Sequence, residues 1–219
     1  CLVLAKIHQM LGELDAAEEW LGAAYPLTAD DAERRAQWLQ THAVTLLDRA
    51  RHDEAADAAR MALDLIPPGS PSQAALLGLA GEVERHRGNL DAAWDLARRS
   101  VDVAERQGYM WRTAVSNNLL GEIARERGEL LSAERFYRRS LQYYHAMGHD
   151  STPLQSGNLG LVLVDQGRHD EAAALLQPAI AMFRSQGRKG FEAAFLAAML
   201  VCHAHRGSWK EWRPLSDRA

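Results

Sequence analysis

Apolar residues along this chain recur at the three- and four-residue spacing of amphipathic helices, in segments interrupted by single turn residues. Between Ser116 and Met147 two such patterns flank Gly128, with Gly121 seven residues before the turn and Ala133 five after it. The frame recurs from Leu79 to Val101 around Gly88, and from Gly157 to Ile180 around Gly167. The turn positions run Gly12, Ala50, Gly88, Gly128, Gly167 and Gly207, and the small residues of the second helices run Ala17, Ala55, Ala93, Ala133 and Ala172. Their period is roughly 38 to 40 residues, within the range of helical solenoids. A turn glycine closes the first helix because it enters the left-handed conformation cheaply. An alanine in the second helix lets its hairpin partner approach closely. The pattern predicts helical hairpins with approximate bounds 1–27, 28–69, 70–108, 109–148, 149–187 and 188–219.

Within that frame the first hairpin has Leu2, Ala5 and Leu11 on its apolar side, and Pro26 ends its second helix. Trp38, Leu39, Ala43, Leu46 and Leu47 carry the apolar face of the next, which stops at Pro67. Ser70-Pro71-Ser72-Gln73 reads as an N-cap serine, a proline in the first helical position and a capping-box glutamine. Thr152-Pro153-Leu154-Gln155 repeats that device. Gly108, Gly148 and Gly187 end second helices about one turn longer than a minimal hairpin needs. Pro178 lies inside a second helix, where it removes a backbone donor and predicts a kink. Phe191 to His205 forms a last first helix, with Trp209 and Trp212 placed to seal the open end.

Composition narrows the class. Hydrophobic residues at 47% supply a core, and charged residues at 25% argue against both a disordered chain and a membrane span. No apolar run approaches the ~18 residues of a membrane helix, and the first residues lack a signal-peptide pattern. The chain begins at Cys1 inside a helical pattern, so it reads as a piece of a longer protein. The expected location is the cytoplasm. A net charge of −4 gives no general electrostatic case for nucleic acid. Cys1 and Cys202 stand at opposite ends of the array, too far apart for a disulfide.

The repeat resembles the tetratricopeptide repeat (TPR) family. Leu120-Gly121, Leu159-Gly160 and Ala80-Gly81 match its leucine–glycine step; Gly88, Gly128 and Gly167 match its turn glycine; Ala55, Ala93, Ala133 and Ala172 match its second-helix alanine; Pro67 matches its closing proline. The period exceeds the family's usual 34 residues, and Leu46, Glu84, Ala124 and Leu163 stand where an aromatic is usual. The resemblance implies an all-α, right-handed α-solenoid of about five and a half repeats. It also implies a non-catalytic scaffold that binds a peptide or partner domain along a concave groove. The long units look like those of bacterial multidomain signalling proteins. They imply a second reading: a regulatory or sensor arm beside a kinase, nucleotide-binding ATPase or transcription-regulator domain.

By the same resemblance the first helices line the groove. They present Gln40, Val44 and Asp48, then Glu82, Arg85 and His86, then Asn118, Glu122, Arg125 and Glu126, and last Asn158, Leu161 and Asp165. Asparagine can donate to and accept from an extended peptide backbone, and Arg85 and Arg125 can pair carboxylates bidentately. The groove lacks the lysines of a carboxylate clamp. The mixture of acids and few arginines also argues against nucleic acid. Cys202, His203 and His205 do not share one helix face, so no metal is expected there. No phosphate loop, nucleophile motif or HExxH occurs, so neither catalysis nor a cofactor is expected. Ser100 and Ser140 follow arginine pairs like phosphorylation sites, but their register places them in the inter-helix seam. His52 and His169 follow turns in equivalent frames, which predicts packing at hairpin corners.

Overall fold

The computed structural model of the protein describes residues 1–148 and 152–207. These form eleven α-helices and no strand: α1 (Leu2–Met10), α2 (Leu14–Ala24), α3 (Ala32–Asp48), α4 (His52–Leu65), α5 (Gln73–His86), α6 (Leu90–Arg106), α7 (Met110–Glu126), α8 (Leu130–Ala146), α9 (Thr152–Asp165), α10 (His169–Ser185) and α11 (Lys189–His205). A 3-10 turn, Tyr25–Thr28, follows α2.

The residues group into two compact units, Cys1–Arg112 and Thr113–Ala219. In the first, α1 pairs with α2, α3 with α4 and α5 with α6, and α4 also packs on α5. In the second, α9 packs against both α8 and α10, and α10 packs on α11. The short turns between helices make the partners antiparallel.

Local chemistry explains the hairpins. Gly128 turns at φ 76°, in the left-handed region that a Cβ disfavours. Ala50 holds the same conformation at φ 57°, a cost of about 1 kcal/mol relative to glycine. Ala17, Ala55, Ala93, Ala133 and Ala172 are all fully buried, as the close approach of paired helices requires. Ser100 donates its hydroxyl to the Ala74 carbonyl at 2.6 Å, and Ser140 donates to Ala114 at 2.8 Å. Both serines lie in the seam where their register put them.

Several expectations need correction. Helix α5 begins at Gln73, so Ser70 is not its N-cap. The Gln73 side chain reaches back to accept from the Gly69 backbone N–H at 2.8 Å, while Ser72 donates to Glu33. A capping glutamine is present, but it serves the turn before the helix. In α9, Pro153 does occupy the first turn, where its missing donor costs little; the residues before Thr152 lie outside the described ones. Pro178 does lie inside a second helix, α10, which runs from His169 to Ser185. Pro178 and Ala174 are both exposed there, so water can take the carbonyl that the ring leaves without a donor. Leu11, expected on the apolar side, is 67% exposed because it stands beyond the end of α1. Trp209 and Trp212 lie outside the described residues. Cys1 and Cys202 are free thiols, the first exposed and the second buried. No helix among the described residues is long and apolar enough to cross a membrane.

Candidate functional site

In the second unit the residues expected to line the groove are joined across successive repeats. Asn118 and Glu122 lie one turn apart on α7, and the Asn118 amide donates to the Glu122 carboxylate at 2.8 Å. From α9, Asn158 donates to the Asn118 oxygen at 3.2 Å. Arg125 and Asp165 face each other at 4.0 Å, and the Arg125 Nε is buried without an acceptor. Glu126 is exposed on the last turn of α7. These bonds form a polar ladder of half-buried side chains. Its amide–amide rung is long, and its ion pair sits at the limit of contact.

The first unit arranges its candidate groove residues differently. Arg85 bonds the Glu82 carboxylate at 2.8 Å, and His86 approaches it at 3.4 Å. Burial alone would raise the Glu82 carboxyl, but His86 and Arg85 together leave it below its ordinary value. Asp48, at the end of α3, accepts from Gln9 of α1 at 2.6 Å. Gln40 is half-buried on α3.

The residues that sequence reasoning missed form rungs between hairpins. An arginine just before a turn reaches an aspartate just after the preceding turn: Arg49 joins Asp15, Arg87 bonds Asp53 at 3.0 Å, and Arg206 bonds Asp170 at 2.6 Å. The signal was in the sequence, as arginine one residue before the turn position and aspartate three after it. Where Leu131 replaces that aspartate, Gln166 takes the arginine's place and donates to the Leu130 carbonyl. The imidazoles expected to pack at hairpin corners form pairs, His52 on His86 at 5.5 Å and His169 on His205 at 4.2 Å. His205 is thereby occupied, Cys202 is buried, and burial raises its thiol. No cluster of three or more His, Cys, Asp or Glu among the described residues is placed to hold a metal ion.

The strongest charged node is structural. Glu134 of α8 accepts from Arg138 at 2.7 Å, from Arg168 at 2.8 Å and from Gln166 at 3.0 Å. Burial would raise its carboxyl, yet these donors hold it down at about 2. A lowered carboxyl stabilises the fold above its ordinary titration range and loses that contribution as pH falls toward 2. After allowance for solvent screening, about 1 to 2 kcal/mol should disappear between pH 5 and pH 2. Thermal melts across that range should show a smaller pH-dependent loss for Glu134→Gln than for the natural chain. Parallel curves would mean that Glu134 is not the group responsible.

A model of the MalT-like TPR region matches residues 36–219. The chain belongs to this TPR family. Its all-helical hairpin array is accordingly an α-solenoid of the TPR type. Among solved structures, BtubC (BKLC) from P. vanneervenii is similar at 16% identity and a TM-score of 0.76, over 94% of this chain and 87% of that one. A Rap protein complexed with Competence and Sporulation Factor gives a TM-score of 0.79 at 13% identity, over 99% of this chain and 62% of that one. A signal transduction ATPase with numerous domains, carrying a tetratricopeptide repeat sensor, from Pyrococcus horikoshii gives 0.73 at 15% identity, over 99% of this chain and 35% of that one. At these identities the likeness is one of fold. The TPR chain thus spans less than two thirds of the latter two proteins. No curated protein matches the sequence.

Proposed function

We propose that this TPR domain binds a peptide segment or partner domain along the first-helix face, centred on α7 and α9. The observation that carries the reading is the Asn118–Asn158 rung beside Arg125. An extended backbone offers alternating donors and acceptors that can replace the 3.2 Å amide–amide bond. An incoming carboxylate can take the outer edge of the Arg125 guanidinium, which Asp165 meets only at 4.0 Å. Glu122, Glu126 and Asp165 flank that centre, while Gln40, Asp48, Glu82 and Arg85 are the groove positions of the first unit. Family membership supports an interaction or sensor repeat domain.

A second reading rests on the same membership and on the Pyrococcus horikoshii structure, whose repeats are described as a sensor. In it the partner is another domain of the same protein, a kinase, ATPase or transcription regulator. Peptides selected on the isolated domain from a random library test the groove. Arg125→Glu should weaken the selected peptides by roughly tenfold or more while leaving the melting temperature nearly unchanged. Asn118→Ala and Asn158→Ala should each weaken them less. Unaltered affinity across all three variants would remove the groove from consideration.

A further inference from the structure

The largest cavity described in the first unit lies away from the groove face. It is an open cleft of about 1060 Å³, lined by the Tyr25–Ala32 segment and the facing sides of α3 and α4. At about 100° per residue, His42 in its wall and Gln40 on the groove face point about 200° apart around α3. The cavity exists because α2 stops early. Helix α2 has 11 residues where α6, α8 and α10 have 17, and after Ala24 the chain turns aside at Tyr25-Pro26. The start of α3 and the end of α4 are left without the covering turns of a longer helix.

The wall is aromatic and held in place. The Trp38 indole donates to the Leu21 carbonyl at 2.8 Å. Tyr25 meets Trp38 edge-on at 4.9 Å, His42 stacks on Trp38 at 4.8 Å, and the Arg35 guanidinium lies 4.1 Å over Tyr25. Burial lowers His42, so this imidazole is neutral near pH 7, and its Nδ1 is buried without a partner. Leu39, Leu46 and Ala58 form a buried apolar floor. Met61, also in the lining, is 50% exposed and supplies an adaptable apolar surface.

The rim is acidic. Asp30, Asp31, Glu54, Asp57 and Asp64 line the cavity, against the single guanidinium of Arg35. Arg34, Arg51 and Arg60 stand outside the lining. They bond Asp31 at 3.1 Å, Glu54 at 2.6 Å and Asp57 at 3.1 Å, with Asp64 3.8 Å from Arg60. These are exposed pairs within one helix or its cap, which are weak and readily exchanged. Each carboxylate therefore retains room for a second cation.

We propose that this cavity is a docking site for a basic amphipathic segment of a partner protein. One or more apolar side chains enter against Trp38, Leu39 and Met61, and flanking lysines or arginines meet Asp57, Asp64 and Asp30. The volume, at the top of the ~300–1,000 Å³ typical of ligand pockets, admits several side chains and so favours a peptide over a single group. Long basic side chains suit both parts, since their stems cover apolar surface while their heads reach carboxylates. The site is independent of the groove reading.

Fluorescence anisotropy with two labelled helical peptides tests it: one with leucine on one face and lysine on the other, and the same peptide with every lysine replaced by glutamate. The lysine peptide should bind saturably and at least tenfold more tightly than the glutamate peptide. Asp57→Lys with Asp64→Lys, both at exposed positions, should cost the lysine peptide roughly tenfold, and Met61→Arg should do the same. Arg125→Glu should leave its affinity unchanged. Equal binding of the two peptides, absence of saturation, or an affinity that changes with Arg125→Glu in either direction and not with the cavity variants would each overturn the proposal. The last result would place the peptide in the groove.

Discussion

Gly121→Leu should unfold the second unit at ambient temperature or lower its stability by about 3 kcal/mol or more. A Cβ at Gly121 would stand 2.8 Å from two carbons of the Tyr137 ring, closer than real Cβ atoms come to anything. Tyr137 is 1% exposed, so its ring is surrounded by protein and not by solvent. Two opposing effects meet in the smaller change, Gly121→Ala. Alanine gains about 1 kcal/mol of helix propensity over glycine, but overpacking a rigid core costs about 1 to 3 kcal/mol. The clash is with an aromatic ring and not the end of a flexible chain, so packing wins and Gly121→Ala should also destabilise, by about 1 kcal/mol. Gly157 meets Phe195, and Gly160 meets Leu176, at 2.8 and 2.9 Å in the same way. Urea unfolding of the alanine and leucine variants measures both costs. An alanine variant more stable than the natural chain would show that Tyr137 repacks, and that Gly121 is not needed for close approach.

Ser140→Asp should be comparably damaging, at about 3 to 5 kcal/mol, because it buries a charge in a seam where the native hydroxyl meets an acceptor. Ser140 is fully buried, and the nearest polar partner of its hydroxyl is the Ala114 carbonyl, an acceptor that repels a carboxylate. Ser140→Ala removes only the hydroxyl, and Ala114 is inside a helix, so about 1 kcal/mol is expected. Ser100 offers the same comparison in the first unit through its bond to Ala74. The arginine pairs before both serines look like kinase recognition sequences, yet the native protein should not be phosphorylated there. Incubation with a basophilic kinase, followed by mass spectrometry of the folded and urea-unfolded chain, should find phosphate only after unfolding. Stoichiometric modification of the native protein at Ser140, or a stable Ser140→Asp variant, would contradict the seam assignment.

Much of the architecture was legible because its causes are local. Turn glycines such as Gly128 and seam alanines such as Ala133 are dictated by backbone conformation and helix spacing within one hairpin. Burial of Ser100 and Ser140 followed from the same register. Local reasoning also had limits at element ends. At Ser70 to Gln73 the capping signature was read two residues early, because the glutamine satisfies the turn and the helix starts behind it. Leu11 looked apolar and therefore inward, but a residue beyond the last helical turn has no face to share.

The candidate groove residues were legible as positions on helices and not as a set of partners. Asn118 and Asn158 could be placed on first helices from their spacing. Their mutual bond depends on how two hairpins stack. The arginine–aspartate rungs at Arg87–Asp53 and Arg206–Asp170 belong to the same class, as does the Glu134 node.

The sequence by itself determined that the chain is a series of helical hairpins of one frame, where each turns, and which small residues lie in the seams. Those features rest on periods of a few residues and on backbone preferences that no distant contact overrides. The tertiary structure alone decided which polar groups satisfy one another across residues some 34 to 40 positions apart. It also decided that a helix two turns short leaves an aromatic cavity at Trp38. A cavity is the absence of a covering element, and nothing in the spacing of the residues that line it records what fails to cover them.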